Sequence, residues 1–305
     1  MDSGISKRHI KIGFADFWPN LDPENNYFTR LLRTRYEVEI TARPDFLLYS
    51  VFGRAHREHD CVRIFYTGEN VRPDFTQCNY AFTFDVGIED PRHYRLPLCW
   101  LGKNDELVKS NVDAERILRE KTGFCAFVVS NPKGKLRNRF FRALSKYKPV
   151  SSGGKLFNNI GGRVKDKQAF LSRHKFTIAF ENESYPGYCT EKIVDAMRAW
   201  SVPIYWGNPL VHQDYNTKSF CSYHDAESIE ALVDRVVELD RNEELYRECL
   251  RQPWLPNNQI PPAARPETIL DQFERIFTAV EHPQRQTWRE GVFSRLRTYC
   301  AARRW

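Results

Sequence analysis

Short apolar runs alternate with helix-like stretches along the chain, and no other feature constrains its fold as strongly. Candidate strands are HIKIGFADF (9–17), YEVEIT (36–41), FLLYSVF (46–52), VRIFYTG (62–68), YAFTFDV (80–86), FCAFVVS (124–130), FTIAFE (176–181), VPIYWG (202–207) and FCSY (220–223). Helix-like compositions fill 24–35, 136–147, 165–174, 190–200, 226–239, 242–251 and 267–281. In EKIVDAMRAW, Ile193, Met197 and Trp200 fall at i, i+4 and i+7, a single apolar stripe suited to packing on a sheet. Strands that alternate with helices in this way predict an α/β architecture.

At 305 residues the chain has length for two domains with cores of their own. A boundary is expected in KPVSSGGKLFNNIGGRV (148–164), which holds four of the 15 glycines. That segment reads either as a linker or as a loop brought close to a ligand between domains. A second break falls in the proline-rich WLPNNQIPPAARPE (254–267). The expected division is therefore 1–149, 150–265, and a C-terminal helix with a basic tail over 266–305.

The formal net charge is +7, and it is concentrated at the C-terminus. From Arg285 onward six arginines (285, 289, 295, 297, 303, 304) face one acid, Glu290, and alternate with Trp288, Phe293, Tyr299 and Trp305. This pattern fits a solvated helix or tail, or peripheral attachment to an anionic membrane surface. No recognised nucleic-acid motif accompanies the charge, so nucleic acid is not an expected partner. The N-terminus MDSGISKRHIKIGF has no signal-like apolar run. Nor does any stretch approach the roughly 20 apolar residues needed to cross a bilayer. The eight cysteines are scattered without a C-x-x-C pair, several within strand-like runs such as FCAFVV. They read as buried thiols in a reducing cytoplasm rather than as metal ligands.

Two places carry candidate chemistry. The strand-like KFTIAF (175–180) runs into ENESYPGYCTEK (181–192), where a helix is expected to begin. In an open parallel sheet, ligands bind beyond the carboxyl ends of the strands. The unpaired amides and partial positive charge of the following helix favour a phosphate there. Thr190 is a candidate N-cap, Gly187 permits a tight turn, and Lys192 adds a full charge. Glu191 suits ribose hydroxyls rather than phosphate. The plain alternative is that acids in a first helical turn merely complement the helix dipole. The second place is FYTGEN (65–70), where an apolar strand ends and presents Glu69 and Asn70. A carboxylate at a strand tip is either an ordinary turn residue or, in a cleft, a base for a sugar hydroxyl.

Five ordered segments resemble the bacterial-type alpha-1,3/4-fucosyltransferase family: FYTGEN (65–70), YAFTFD (80–85) followed by RHYRLPL (92–98), VVSNPKGKLRNRFFRAL (128–144), KFTIAFENESYPGYCTEKIVDA (175–196) and VPIYWGNP (202–209). The similarity runs from about residue 10 to about residue 250. It implies a GT-B type fold, two Rossmann-like domains facing across a cleft. It also implies GDP-fucose as donor, an N-acetyllactosamine-like or lacto-N-biose-like glycan as acceptor, and an inverting transfer giving Lewis-type structures. On the positions that match, Glu69 is the general base. Asn182, Tyr188, Glu191 and Lys192 hold the donor, with Glu191 at the ribose and Lys192 at the pyrophosphate. Trp18 and Asn70 are acceptor-side candidates, Trp18 being equally suited to a core or hinge role.

One departure concerns the glycine-rich loop. The family's pyrophosphate arginine aligns with Phe157, and Lys155, two residues earlier, is the candidate replacement. The chain also contains no Asp-x-Asp pair. No obligatory metal or other cofactor is therefore expected, a divalent cation acting at most as an enhancer. Alternatives from other classes are a same-fold transferase using another GDP-sugar and a non-catalytic glycan-binding protein. The expected location is the cytoplasm, with contact at the inner membrane face through 285–305 as the tail's membrane reading.

Overall fold

A computed structural model describes residues 7–279. Within them the chain divides into two compact units, one of 7–83, 87–96 and 265–279, the other of 84–86 and 97–264.

In the first unit, β1 (His9–Ala15), α1 (Tyr27–Arg35), β2 (Glu37–Ile40), β3 (Phe46–Tyr49), β4 (Val62–Tyr66), β5 (Tyr80–Thr83) and β6 (His93–Arg95) follow in order. The strands form one parallel sheet ordered β2-β1-β3-β4-β5-β6, with Ile12 opposite Phe46 and Ile64 opposite Tyr80. Burial explains the composition. FLLY of β3 is buried at every position, whereas EVEI of β2 alternates, because an inner parallel strand is covered on both faces and an edge strand is not. Asn26 starts α1, its side-chain oxygen accepting from the Thr29 amide at 3.1 Å.

The second unit contains α2 (Ala114–Arg119), β7 (Gly123–Phe127), α3 (Lys135–Leu144), β8 (Val150–Ser152), α4 (Lys167–Ser172), β9 (His174–Phe180), α5 (Glu191–Arg198), β10 (Val202–Trp206), β11 (Cys221–Ser222), α6 (Ile229–Arg241) and α7 (Glu243–Arg251). Its parallel sheet is ordered β11-β10-β9-β7-β8. Counted from β7, this is the order 2-1-3-4-5, the same winding as β1 to β5 of the first unit. Each sheet therefore reverses its direction of growth once, between β1 and β3 and between β7 and β9, and such switch points are where open α/β sheets hold ligands.

The expected boundary at 149/150 is not where the chain divides. β7, at 123–127, pairs with β9 and β8 of the second sheet, so the strand before the glycine-rich segment and the strands after it share one core. The glycine-rich segment supplies β8 and the loop that follows it, inside that unit. The final described helix, α8 (Pro266–Ala279), is no separate appendage either. Phe273 packs on Phe28 and Phe82, and Phe277 on Tyr36 and Phe46, all in the first unit. Arg8 donates to the Phe277 carbonyl at 2.9 Å and Arg35 pairs with Asp271 at 2.8 Å. The chain thus returns to its starting unit after 264, where the aromatic side chains of α8 pack into the first sheet's core.

No described helix is long and apolar enough to cross a membrane. The basic aromatic tail at 285–305 lies outside the described residues. Among the described cysteines, Cys61 is half-buried and Cys78, Cys99, Cys125, Cys189, Cys221 and Cys249 are buried, all as free thiols.

Candidate active site

Since the strands of the second sheet are parallel, the loops after β7, β8, β9 and β10 all emerge on one edge. On this edge lie Asn131, Lys155, Asn182 and the ENESYPGYCTEK segment. That segment is held firmly. Gly187 has φ +84°, and its amide donates to Asn208 Oδ1 at 2.7 Å, an oxygen that also accepts from the Leu210 amide at 2.9 Å. The Ser184 hydroxyl donates to the Gly207 carbonyl at 2.7 Å. A Cβ on Gly187 would stand 2.1 Å from the Phe84 carbonyl oxygen. Gly187→Ala is therefore expected to cost roughly 1–3 kcal/mol from the backbone conformation alone. Urea unfolding measures it, and an unchanged midpoint would show that the turn has room.

Glu181, the first residue after β9, organises the start of α5. Its side chain is fully buried. Oε1 accepts from the Thr190 amide at 2.7 Å, and Oε2 accepts from the Thr190 hydroxyl at 2.7 Å and from Lys192 Nζ at 2.8 Å. Lys192 also donates to Thr190 Oγ1 at 2.7 Å. Thr190 does occupy the N-cap position of α5, but its hydroxyl makes no cap bond; it bridges Glu181 and Lys192 instead. Gly207 makes space for this carboxylate, since a Cβ there would lie 2.4 Å from Glu181 Cγ. Lys192 keeps 20% of its side chain exposed. Burial works against its charge, yet Glu181 and Glu191 outweigh that cost and hold the ammonium above its ordinary pKa. For Glu191, burial acts to raise the pKa, but Lys192 and Lys167 prevail and the carboxyl lies below its usual range.

Arg137 is the residue of this edge that sequence reasoning missed. It is completely buried on α3, with one guanidinium nitrogen donating to Asn182 Oδ1 at 2.9 Å and the other terminal nitrogen to the Asn131 carbonyl at 2.7 Å. It thereby ties the loop after β7 to the loop after β9, the two loops flanking the switch point. Burial pushes its pKa down, opposed by Glu181 and Tyr188. The signal was present in the sequence: Arg137 shares the spacing of Phe140, Phe141 and Leu144, a cation on the apolar face of a helix.

The structure brings Asn182, Tyr188, Glu191 and Lys192 together within one loop and helix start. Tyr188 is buried, its ring edge-on to Phe84 at 5.1 Å. Lys155 is exposed on the neighbouring loop after β8. Phe157 adopts φ +54° and stacks on Phe141 at 4.7 Å, with the Arg142 guanidinium 5.0 Å from its ring centroid. Where the family pattern has an arginine, this chain thus has an aromatic ring with a cation from α3 over it.

Glu69, Asn70 and Trp18 all lie in loops on the C-terminal edge of the first unit's sheet, after β4 and β1. Glu69 is exposed. Its amide donates to Thr67 Oγ1 at 2.9 Å, and its carbonyl accepts from the Val71 amide at 2.7 Å, so its backbone is fixed by a short turn. Asn70 Oδ1 accepts from Arg72 at 2.6 Å. Trp18 is 38% exposed, edge-on to Phe17.

Residues 12–101 match the profile of the alpha-(1,3)-fucosyltransferase FucT N-terminal domain, and residues 118–295 match that of the glycosyltransferase family 10 (fucosyltransferase) C-terminal part. The chain belongs to the family 10 fucosyltransferases. Among this family's members, it is similar to the alpha-(1,3)-fucosyltransferase FucT of Helicobacter pylori, 32% identical over 285 residues that cover 79% of this chain and 59% of the relative. The chain thus spans well under two thirds of that fucosyltransferase's length. A crystal structure of an alpha-1,3-fucosyltransferase superposes with a TM-score of 0.79 at 29% identity, covering 90% of this chain and 91% of the other. One solved with GDP-fucose gives 0.77 at 28%, covering 94% of each. These likenesses and the two parallel sheets make the fold of this fucosyltransferase-family chain two-domain α/β of the GT-B type.

Proposed function

We propose that the chain transfers L-fucose from GDP-fucose, with inversion, to the 3-hydroxyl or 4-hydroxyl of GlcNAc in lactosamine-type or lacto-N-biose-type glycans, giving Lewis-type products. The observation that carries this reading is the prearranged cation at the start of α5, where Lys192 is anchored by Glu181 and Thr190 beside the ribose-type carboxylate Glu191. Membership of the fucosyltransferase family supplies the sugar.

In the proposed reaction the acceptor hydroxyl gives its proton to the Glu69 carboxylate. Its oxygen forms a bond to the anomeric carbon, the bond from that carbon to the β-phosphate oxygen breaks, and GDP leaves with the electron pair. The developing sugar charge is oxocarbenium-like. Lys192, the α5 amides and Lys155 meet the charge growing on the diphosphate. Asn182, oriented by Arg137, and Tyr188 complete the donor site, while Trp18 and Asn70 contact the acceptor. Since the sequence has no Asp-x-Asp pair, leaving-group stabilisation is assigned to these groups without an obligatory metal.

The test offers GDP-fucose and GDP-mannose in turn with lactosamine, lacto-N-biose and Lewis-type acceptors, and reads product linkage by NMR. Fucose on the GlcNAc 3- or 4-hydroxyl is expected. Preference for GDP-mannose, or a glycan bound but never modified, would replace this reading with the other GDP-sugar or the non-catalytic one.

A further inference from the structure

We propose that Glu181 is a positioning residue: it has no surface for substrate, and its role is to keep Lys192 protonated and aimed for the diphosphate. The inference rests on the donor-site reading above.

An ammonium has three N–H donors. In Lys192 one goes to Glu181 Oε2 and one to Thr190 Oγ1, which anchors a flexible four-carbon stem and leaves a single donor for a ligand. Glu181 is itself immobile. Its main-chain amide donates to the Trp206 carbonyl at 2.7 Å, and both side-chain oxygens are engaged by Thr190. The carboxylate therefore cannot follow Lys192 outward, and it defines where the ammonium sits before any donor arrives. Preorganisation of this kind makes a charge effective in a leaving-group site, because no reorganisation is needed as the reaction proceeds.

The charge argument points the same way. The groups that act on Lys192 are Glu181 from the end of β9, Glu191 from its own helix and Arg137 from α3. Around them, α5 carries Asp195, already paired with Lys167 of α4 at 2.6 Å, while β10 contributes Tyr205 and the turn at 104–107 contributes Glu106, which pairs with Arg198. Of the two carboxylates that favour the ammonium, Glu181 alone bonds to it directly. Without the charge of Glu181, burial and Arg137 stand against Glu191 alone, so Lys192 would release its proton at lower pH.

The experiment follows GDP affinity by calorimetry from pH 6 to pH 10, with kcat/KM alongside, for wild type, Glu181→Gln and Glu181→Asp. Wild type, whose ammonium is held above the ordinary lysine pKa, is expected to show no basic limb from Lys192 inside this window. Glu181→Gln is expected to show one, at least about one pH unit below the ordinary lysine value, the size of shift that a single strong charge partner produces. Glu181→Asp keeps the charge with a shorter reach, so no such limb should appear while affinity falls about tenfold. A Glu181→Gln profile parallel to wild type at every pH would overturn the inference. Wild type that fails to bind GDP would instead sink the donor-site reading. Should Glu181→Gln show no cooperative thermal transition, amine acylation of wild type decides, read peptide by peptide by mass. The pH midpoint for Lys192 is expected to be higher in the folded protein than in the urea-unfolded chain, and equal midpoints would overturn the proposal.

Discussion

Glu69→Ala is expected to lower turnover roughly 10²- to 10⁴-fold, the usual worth of a general base, while GDP affinity stays near wild type. The split between the two readouts carries the argument. Glu69 stands in the first unit, at the carboxyl edge of β4, and every residue assigned to the donor stands in the second. Under the proposed assignment its substitution removes the proton acceptor and none of the donor ligands. The side chain is exposed, and the turn that presents it is held through main-chain bonds to Thr67 and Val71, which alanine retains. Steady-state kinetics with GDP-fucose, paired with a GDP titration, measures both. Turnover near the wild-type rate would remove Glu69 from the reaction, and a matching loss of GDP affinity would reassign it to the donor.

The second large effect belongs to Lys192. Alanine there is expected to reduce kcat/KM by at least about 10², through lost stabilisation of the departing diphosphate. It should also destabilise the fold. Lys192→Ala leaves the buried Glu181 carboxylate hydrogen-bonded by Thr190 alone, and breaking a buried ion pair from one side costs roughly 3–5 kcal/mol. Activity must therefore be compared at a temperature where the variant's own unfolding curve shows it folded. Lys192→Ala/Glu181→Gln resolves the two contributions: part of the lost stability should return, since the Lys192–Glu181 pair is then removed from both sides while Arg137 and Glu191 each lose a favourable charge, and the activity should not. Recovery of activity in the double variant would mean that the lysine acts through folding alone.

The elements were largely legible in the sequence, and the reasons for the misses are physical. Periodicity found β9, α5 and β10 because a continuous apolar run and an i, i+4, i+7 stripe are local patterns. It missed β6, β8 and α2, where HYR, VSS and AERILR are too short or too polar for a period to register. The motifs pointed to loops at strand ends, and Asn182, Tyr188, Glu191 and Lys192 lie together at one of them. The partners of those residues were not legible. Glu181 was visible as one acid among several, but its complete burial depends on Gly207 and Thr190 closing around it. The spacing of Arg137 puts it on an apolar helix face, but its partners Asn131 and Asn182 come from two separate loops and are seen only in the structure.

The sequence by itself determined the α/β alternation, the family, and which strand ends carry charged loops, since each is written in contiguous residues. Only the tertiary structure decided that β7 belongs with the second sheet, that α8 closes the first core, and that the lysine at the start of α5 is held by a buried carboxylate. Pairing between distant strands and the meeting of buried charges are set by packing across long sequence separations, and no local pattern of residues encodes them.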